Sequence, residues 1–457
     1  MKTRVYIQQS SRFLLGVCAI VLCNIADSAE LEWDCGVYQG QLEQGVPQGE
    51  GTLTCDDFTY KGEFLDGART GTGIIDMGPK GRYEGELTDG VADGTGVFFR
   101  ASGDRYEGVF VNGSQTGPGK LIQRNGHYLE GVFEQGYLNG SGELVYTNGD
   151  RYKGTFERNL PQGKGSFMFA DGTRYEGEMS AGKFHGQGRL SYSDGTSYEG
   201  QFKDGKRVGN GVLEDKSGNR VEGQYTNGVL VGKGSMSWPN GDKYHGEFLD
   251  GIPSGKGVYT WSNGDSYEGT ITKTSISGRG KFSWTNGDYY EGEVADGKPH
   301  GEGILNTNDG ERFEAIFVEG TLSGSGKRFM KNGVRYEGEF LDGAEHGKGK
   351  IFYPNGGYYE GDFVNGLRQG VGVSLDAVEN IRYEGQFLND KPHGIGTIYY
   401  ADGSTYYGQF EFGVKVRQLD ANDDANELPD LDTLPIPDVT PVPTKPTIEE
   451  EVNDWEG

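Results

Sequence analysis

Four histidines, His185, His300, His346 and His393, stand immediately before a Gly-x-Gly pair, and four aspartates, Asp150, Asp242, Asp265 and Asp288, each follow Asn-Gly. Imidazole and carboxylate are common ligands of zinc and calcium, so both sets raise the question of a metal. Their spacing argues against one. Successive histidines are two or more repeats apart with no Cys or carboxylate at ligand spacing, and the calcium-binding nonapeptide GGxGxD is absent. The aspartates are read as turn carboxylates that bond their own backbone. Gly-x-Gly recurs throughout without the strand-to-helix context of a phosphate loop. There is no nucleophile elbow, no HExxH, and no Cys/His pair after residue 29. The expectation is therefore no catalytic residue, no cofactor, no metal and a non-enzymatic chain.

Trp238, Trp261 and Trp284 are the stronger candidates, three of five tryptophans, at steps of 23 residues. Six residues after each comes a tyrosine, Tyr244, Tyr267 and Tyr290. Paired across the intervening turns, these six rings would form one ladder with neighbouring strands about 4.8 Å apart. Such a ladder suits a glycan chain or an apolar peptide strip. The alternative is packing, since Tyr146, Phe169, Tyr192 and Tyr353 hold the same position in other repeats.

What must position these rings is a repeat. With the Tyr of "YEG" as position 0, seventeen anchors run from Tyr38 to Tyr406 at a step of 23, with one step of 22 and one of 24. A fixed period of this size means a solenoid or array. Tyr336, Gly338 and Phe340 alternate with Glu337 and Glu339, and position +4 is apolar in every unit, which is the period-2 pattern of a strand with one apolar face. A second strand follows from the paired glycines, as in "GKGVYTW", so each unit is a β-hairpin. Asn-Gly and Asp-Gly supply the connections, since they tolerate the positive φ of tight turns. Glycines at +11 and +13 in sixteen units imply that a neighbouring aromatic ring comes close to the backbone.

The stretch "YEGEFLDGAEHGKGKIFYPNGG" (336–357) resembles the MORN (membrane occupation and recognition nexus) repeat, and the resemblance extends over about 36–413. It implies an all-β fold, an elongated single-layer antiparallel sheet solenoid of about 17 β-hairpin repeats of 23 residues. It also implies scaffolding, membrane association and self-association as functions. The four histidines match the His of this repeat, a turn residue. Leu129 and Val221 replace the anchor Tyr, Ala315 replaces the first Gly of its unit, and the last unit stops before its second strand. These departures put the packing of their units in doubt.

The chain divides into residues 1–29, 30–417 and 418–457. Lys2, Arg4 and Arg12 precede "FLLGVCAIVLCNIA" and "ADSAE", the pattern of a signal peptide cut near Ser28 or Ala29. The apolar run is short for a membrane anchor, and Leu22 stands where a lipoprotein signal has a small residue. Export to the periplasm or beyond the cell follows. It leaves Cys35 and Cys55 as a candidate disulfide closing a short loop. From Gln418 onward lie 12 acids, one Lys and six Pro, an acidic Pro-rich tail expected to be disordered. Without residues 1–29, 40 Lys plus Arg face 68 Asp plus Glu, a balance that excludes nucleic acid and opposes anionic lipid. The expected partner is a protein or envelope component bound through an extended aromatic face. A glycan held by the Trp/Tyr ladder, a membrane-lipid tether and a homo-oligomer are the other readings.

Overall fold

The structure, a computed structural model, describes residues 29–272 and 275–420. The signal-peptide expectation, apart from Ala29, and nearly all of the acidic tail lie outside the described residues. The described residues form thirty-five strands, β1 to β35 in chain order, each antiparallel to its neighbours within its own unit, with a single 3-10 turn at Gly78–Lys80. They form two units, divided after Lys216. The first holds β1 (Ala29–Trp33) to β17 (Lys206–Glu214), and the second β18 (Arg220–Thr226) to β35 (Val414–Gln418). Within each, every repeat is one hairpin paired to the next.

The register explains the glycines. Gly246 faces Gly257 within a hairpin, and Gly257 faces Gly269 of the next. A row of bare backbone results, and the Tyr244 ring lies over it: a methyl added at Gly246 or Gly257 would enter the ring. The phenol then donates to the Glu247 carbonyl at 2.9 Å. Burial pushes the Tyr244 pKa up to about 12. Position +11 has a different reason. Gly255 sits at φ +108 beside the Glu247 side chain, where the register slips by two residues between Gly246 and Phe248. It is a β-bulge residue rather than a seat for a ring.

Between anchors, the ring at +4 fits edge-on. Tyr359 meets Phe363 at 5.2 Å and Phe387 at 4.8 Å, and Tyr383 meets Phe387 and Phe410 both at 5.1 Å, all T-shaped. Edge-to-face contact is favoured by the ring quadrupole. The resulting Tyr–Phe column is the core, with Tyr267 and Tyr290 fully buried. The opposite face carries cross-strand pairs such as Lys281–Glu291 (3.0 Å) and Lys350–Glu360 (2.8 Å). Exposed pairs of this kind add little stability, about 0–1 kcal/mol each.

The hairpins close on tight turns such as Asp250 (φ +53) and Gly251 (+82), two residues of positive φ in the type I′ geometry that matches strand twist. The connection between repeats differs: in "WPNGD" only Gly241 is left-handed (+98).

The irregular repeats are packed. Where the anchor is Leu129, Val221 or Phe313, position +9 is Leu138, Leu230 or Leu322, and all three are buried. Leu138 and Leu230 lie directly over the glycines that a Tyr ring covers elsewhere. The last repeat has its second strand, β35, and β1 precedes the first repeat by pairing Leu31 with Tyr38.

Candidate functional site

The tryptophans do not pair with the tyrosines six residues on. Gly241 N–H donates to the Trp238 carbonyl, and Trp238 N–H to the Asp242 carbonyl, both at 3.0 Å, so the turn consumes only Pro239, Asn240 and Gly241. Trp238 therefore faces Asp242, and Tyr244 faces Met236. Tyr267 and Tyr290 likewise face Tyr259 and Phe282. Tyr244, Tyr267 and Tyr290 are core residues, sealed from any ligand.

The tryptophans instead join a second row of rings at the connection edge. Trp238 meets Tyr259 at 5.4 Å, Tyr259 meets Trp261 at 4.9 Å, Trp261 stacks on Phe282 at 6.1 Å, and Phe282 stacks on Trp284 at 5.9 Å. Phe282 is buried, while the three indoles and Tyr259 are half-buried. Positions +15 and +17 share a strand face, so alternation along "VYTW" and "KFSW" was the signal for Tyr259 and Phe282. The first unit carries a smaller counterpart, His127–Tyr146–Phe167–Phe169, with centroids 4.5–6.1 Å apart.

The turn aspartates hold this edge in register. Asp242 Oδ1 accepts from Ser262 N–H at 2.7 Å, Asp265 from Thr285 at 2.8 Å, and Asp288 from Asn308 at 2.8 Å, each reaching the following connection. Own-turn bonding is the work of the Asn: Asn240 Oδ1 accepts from Asp242 N–H, and its amide donates back to Asp242 Oδ2. Asp242 Oδ2 also accepts from the Tyr259 hydroxyl at 2.7 Å, which fixes that ring. The expectation that these carboxylates serve their own turn is thus corrected. They tie consecutive turns together.

At the opposite edge, several side chains at position +10 have an equivalent role, though not His185 or His346, whose Nδ1 makes no such bond. Gln162 accepts from Ala181 N–H at 2.9 Å and His393 Nδ1 from Phe412 N–H at 3.4 Å, both in the next repeat's tight turn. His185, His300, His346 and His393 occupy that position in four separate hairpins. Among the described residues no three His, Cys, Asp or Glu side chains gather to hold a metal. Cys35, in the turn just before β2 (Gly36–Glu43), and Cys55, the last residue of β3 (Val46–Cys55), are joined as a disulfide.

One charged cluster interrupts the ring edge. At +15, Arg328 binds Glu311 through two nitrogens at 3.0 and 3.1 Å and Glu345 at 3.3 Å, with its guanidinium over Phe313. Burial raises the Glu345 pKa, an effect that Arg328 partly offsets. A carboxyl whose folded pKa is raised stabilises fully below its unfolded pKa and loses that contribution as pH rises through the folded value. Wild type is therefore expected to gain stability from pH 7 to pH 5. Glu345→Gln should flatten this dependence and stay within about 1 kcal/mol of wild type at pH 7, because a buried ion pair returns little beyond its desolvation cost. Urea unfolding at the two pH values checks it.

Comparisons agree with the repeat. The chain matches the MORN repeat family over 38–59, 60–76, 83–105, 106–128, 130–151, 152–174, 175–197, 198–220, 222–243, 244–266, 267–289, 290–312, 336–358, 359–377 and 383–405. The unit of Phe313 and Ala315 falls in the gap. No curated protein matches. Among solved structures, the chain is similar to the TCP domain of Drosophila melanogaster SAS-4 (dCPAP) in complex with a proline-rich motif of Ana2, at 13% identity over 34% of this chain and 85% of that one (TM-score 0.24). It is similar to the TCP10 domain of Danio rerio CPAP at 14% over 53% and 93% (TM-score 0.18), and to Staphylococcus aureus virginiamycin B lyase at 11% over 67% and 89% (TM-score 0.11). Likenesses this low carry no argument about function. The repeat itself does: with Tyr, Gly, +4 aromatic, Gly-x-Gly and turn recurring in one register, the chain belongs to the MORN repeat family.

Proposed function

We propose that this chain is an exported, non-enzymatic repeat scaffold that binds a protein or envelope component through the connection edge Trp238–Trp284. MORN repeats are scaffolds for protein or membrane interaction, and that coarser statement holds for the chain as a whole. The carrying observation for the finer one is the half-buried row of three indoles on a core whose anchor rings are sealed. Trp is the side chain most often found at the centre of binding surfaces, because it offers large rigid area at little entropic cost. Export rests on the N-terminal sequence, and the Cys35–Cys55 disulfide suits an oxidising compartment. Among the described residues no helix is long and apolar enough to cross a membrane.

A glycan is the second reading, favoured by the stacked Trp261–Phe282–Trp284 faces, which present planes of the kind that sugar rings pack on. Co-sedimentation of the full chain with isolated envelopes of its source is the test. Wild type is expected to pellet, and the combined Trp238→Ala, Trp261→Ala, Trp284→Ala variant to lose at least tenfold in affinity with its circular dichroism unchanged. Equal pelleting of both would place binding on another surface. Pelleting abolished by polysaccharide digestion of the envelopes would select the glycan.

A further inference from the structure

Resting on that reading of the edge, we propose that residues Leu434–Pro446 of this chain dock on the Trp238–Trp261–Trp284 row as a polyproline II strip and cover it until a partner displaces them. Three features on the two sides fit. The first is pitch. Successive tryptophans are one hairpin apart, two strand spacings or about 9.6 Å, and a polyproline II helix advances about 9.3 Å per three-residue turn. Residues three apart therefore meet successive indoles, and Pro437, Thr440 and Pro443 are three apart, with Pro446 continuing the series.

The second is chemistry. Aromatic ridges are the common receptor of such helices, which pay little ordering entropy on binding. Leu434–Pro446 holds five of the tail's six prolines and only Asp438 and Lys445 as charges, so it is neutral within an otherwise acidic stretch. A segment of zero net charge meets less repulsion from the carboxylates of Asp242, Asp265 and Asp288 in the same connections than the acidic residues around it would.

The third is reach, which also fixes direction. Within the second unit, Trp284 lies about twelve strands before the end of β35, about 58 Å along the sheet. Seventeen residue steps from Asp420 to Pro437 span about 56–61 Å when extended. Pro437 thus reaches Trp284, placing Thr440 at Trp261 and Pro443 at Trp238. The reverse order would carry Pro437 to Trp238, about 77 Å away, beyond its tether.

The test uses the full chain and a synthetic peptide of residues 431–450. Wild type and a Pro437→Ser, Pro443→Ser, Pro446→Ser variant are titrated with the peptide and followed by Trp fluorescence. Each also carries Trp33→Phe and Trp455→Phe, so that only the three tryptophans report. The serine variant is expected to bind the peptide with a blue shift at least tenfold more tightly than wild type, whose row is already covered. Alanine at the three tryptophans, followed through a dye on the peptide, should abolish binding. Equal affinity for wild type and the serine variant, or binding that survives the alanines, overturns the proposal, as does exclusion from wild type that disappears on dilution, which would assign the covering segment to a second copy. Peptide binding together with Trp-independent envelope pelleting would sink the envelope reading alone. Trp-dependent pelleting without peptide binding would sink only the docked segment.

Discussion

Gly257→Ala is expected to destabilise its hairpin by about 3 kcal/mol or more, the upper end of overpacking in a closed core. Gly257 lies outside the left-handed φ region, so the cost is one of space. The added methyl would enter the Tyr244 ring, which cannot yield: its hydroxyl is bonded to the Glu247 carbonyl and its edge is held by Phe248 at 5.3 Å. Gly251→Ala provides the contrast. It sits at φ +82 in a turn with open space around it, and only the conformational cost of about 1 kcal/mol applies. Because each repeat contacts only its neighbours, the damage at Gly257 should stay local. Hydrogen exchange should accelerate over Lys243–Thr260 and the flanking hairpins for Gly257→Ala, while Gly251→Ala keeps near wild-type protection there. Equal effects at the two glycines would refute the ring-over-glycine account.

The recurrence of glycine at +13 was legible from sequence because one steric cause, a Tyr ring over the backbone, acts in thirteen of the sixteen repeats that carry it. So were the hairpin, the apolar +4 and the buried anchors, which depend on strand periodicity alone. The ring partners of Trp238, Trp261 and Trp284 were not. Their pairing depends on whether the connection takes three residues or five, and that is decided by hydrogen bonds between Trp238, Gly241 and Asp242 that leave no mark on the period. A miscount of two residues exchanges Tyr259 for Tyr244, a half-buried ring for a sealed one. Position +11 misled for a related reason: glycine serves a bulge there and a ring at +13, and composition alone gives both the same letter. The aspartates misled because bonds from one repeat to the next, such as Asp265 to Thr285, are invisible to any reading confined to a single turn.

The apparent defects at Leu129, Val221 and Phe313 carry the final prediction, since each is accompanied by a buried leucine at +9. A tyrosine ring and a +9 leucine compete for the same space above the paired glycines. Tyr83→Leu should therefore cost about 2–4 kcal/mol, through the void over Gly85 and Gly96 and the lost hydrogen bond from its hydroxyl to the Glu86 carbonyl. Ala92, at +9 of the same repeat, leaves that void unfilled. Ala92→Leu alone crowds the Tyr83 ring and gains nothing. Combined, the two substitutions recreate the Leu129–Leu138 arrangement, and the leucine at 92 descends over the glycines as Leu138 does over Gly131 and Gly142. The double variant should recover at least 1 kcal/mol relative to the sum of the single effects, within the range seen for residues sharing a cavity. Urea unfolding of the four proteins measures this coupling. Additive effects would mean that the leucines at +9 accompany the missing tyrosines without replacing them.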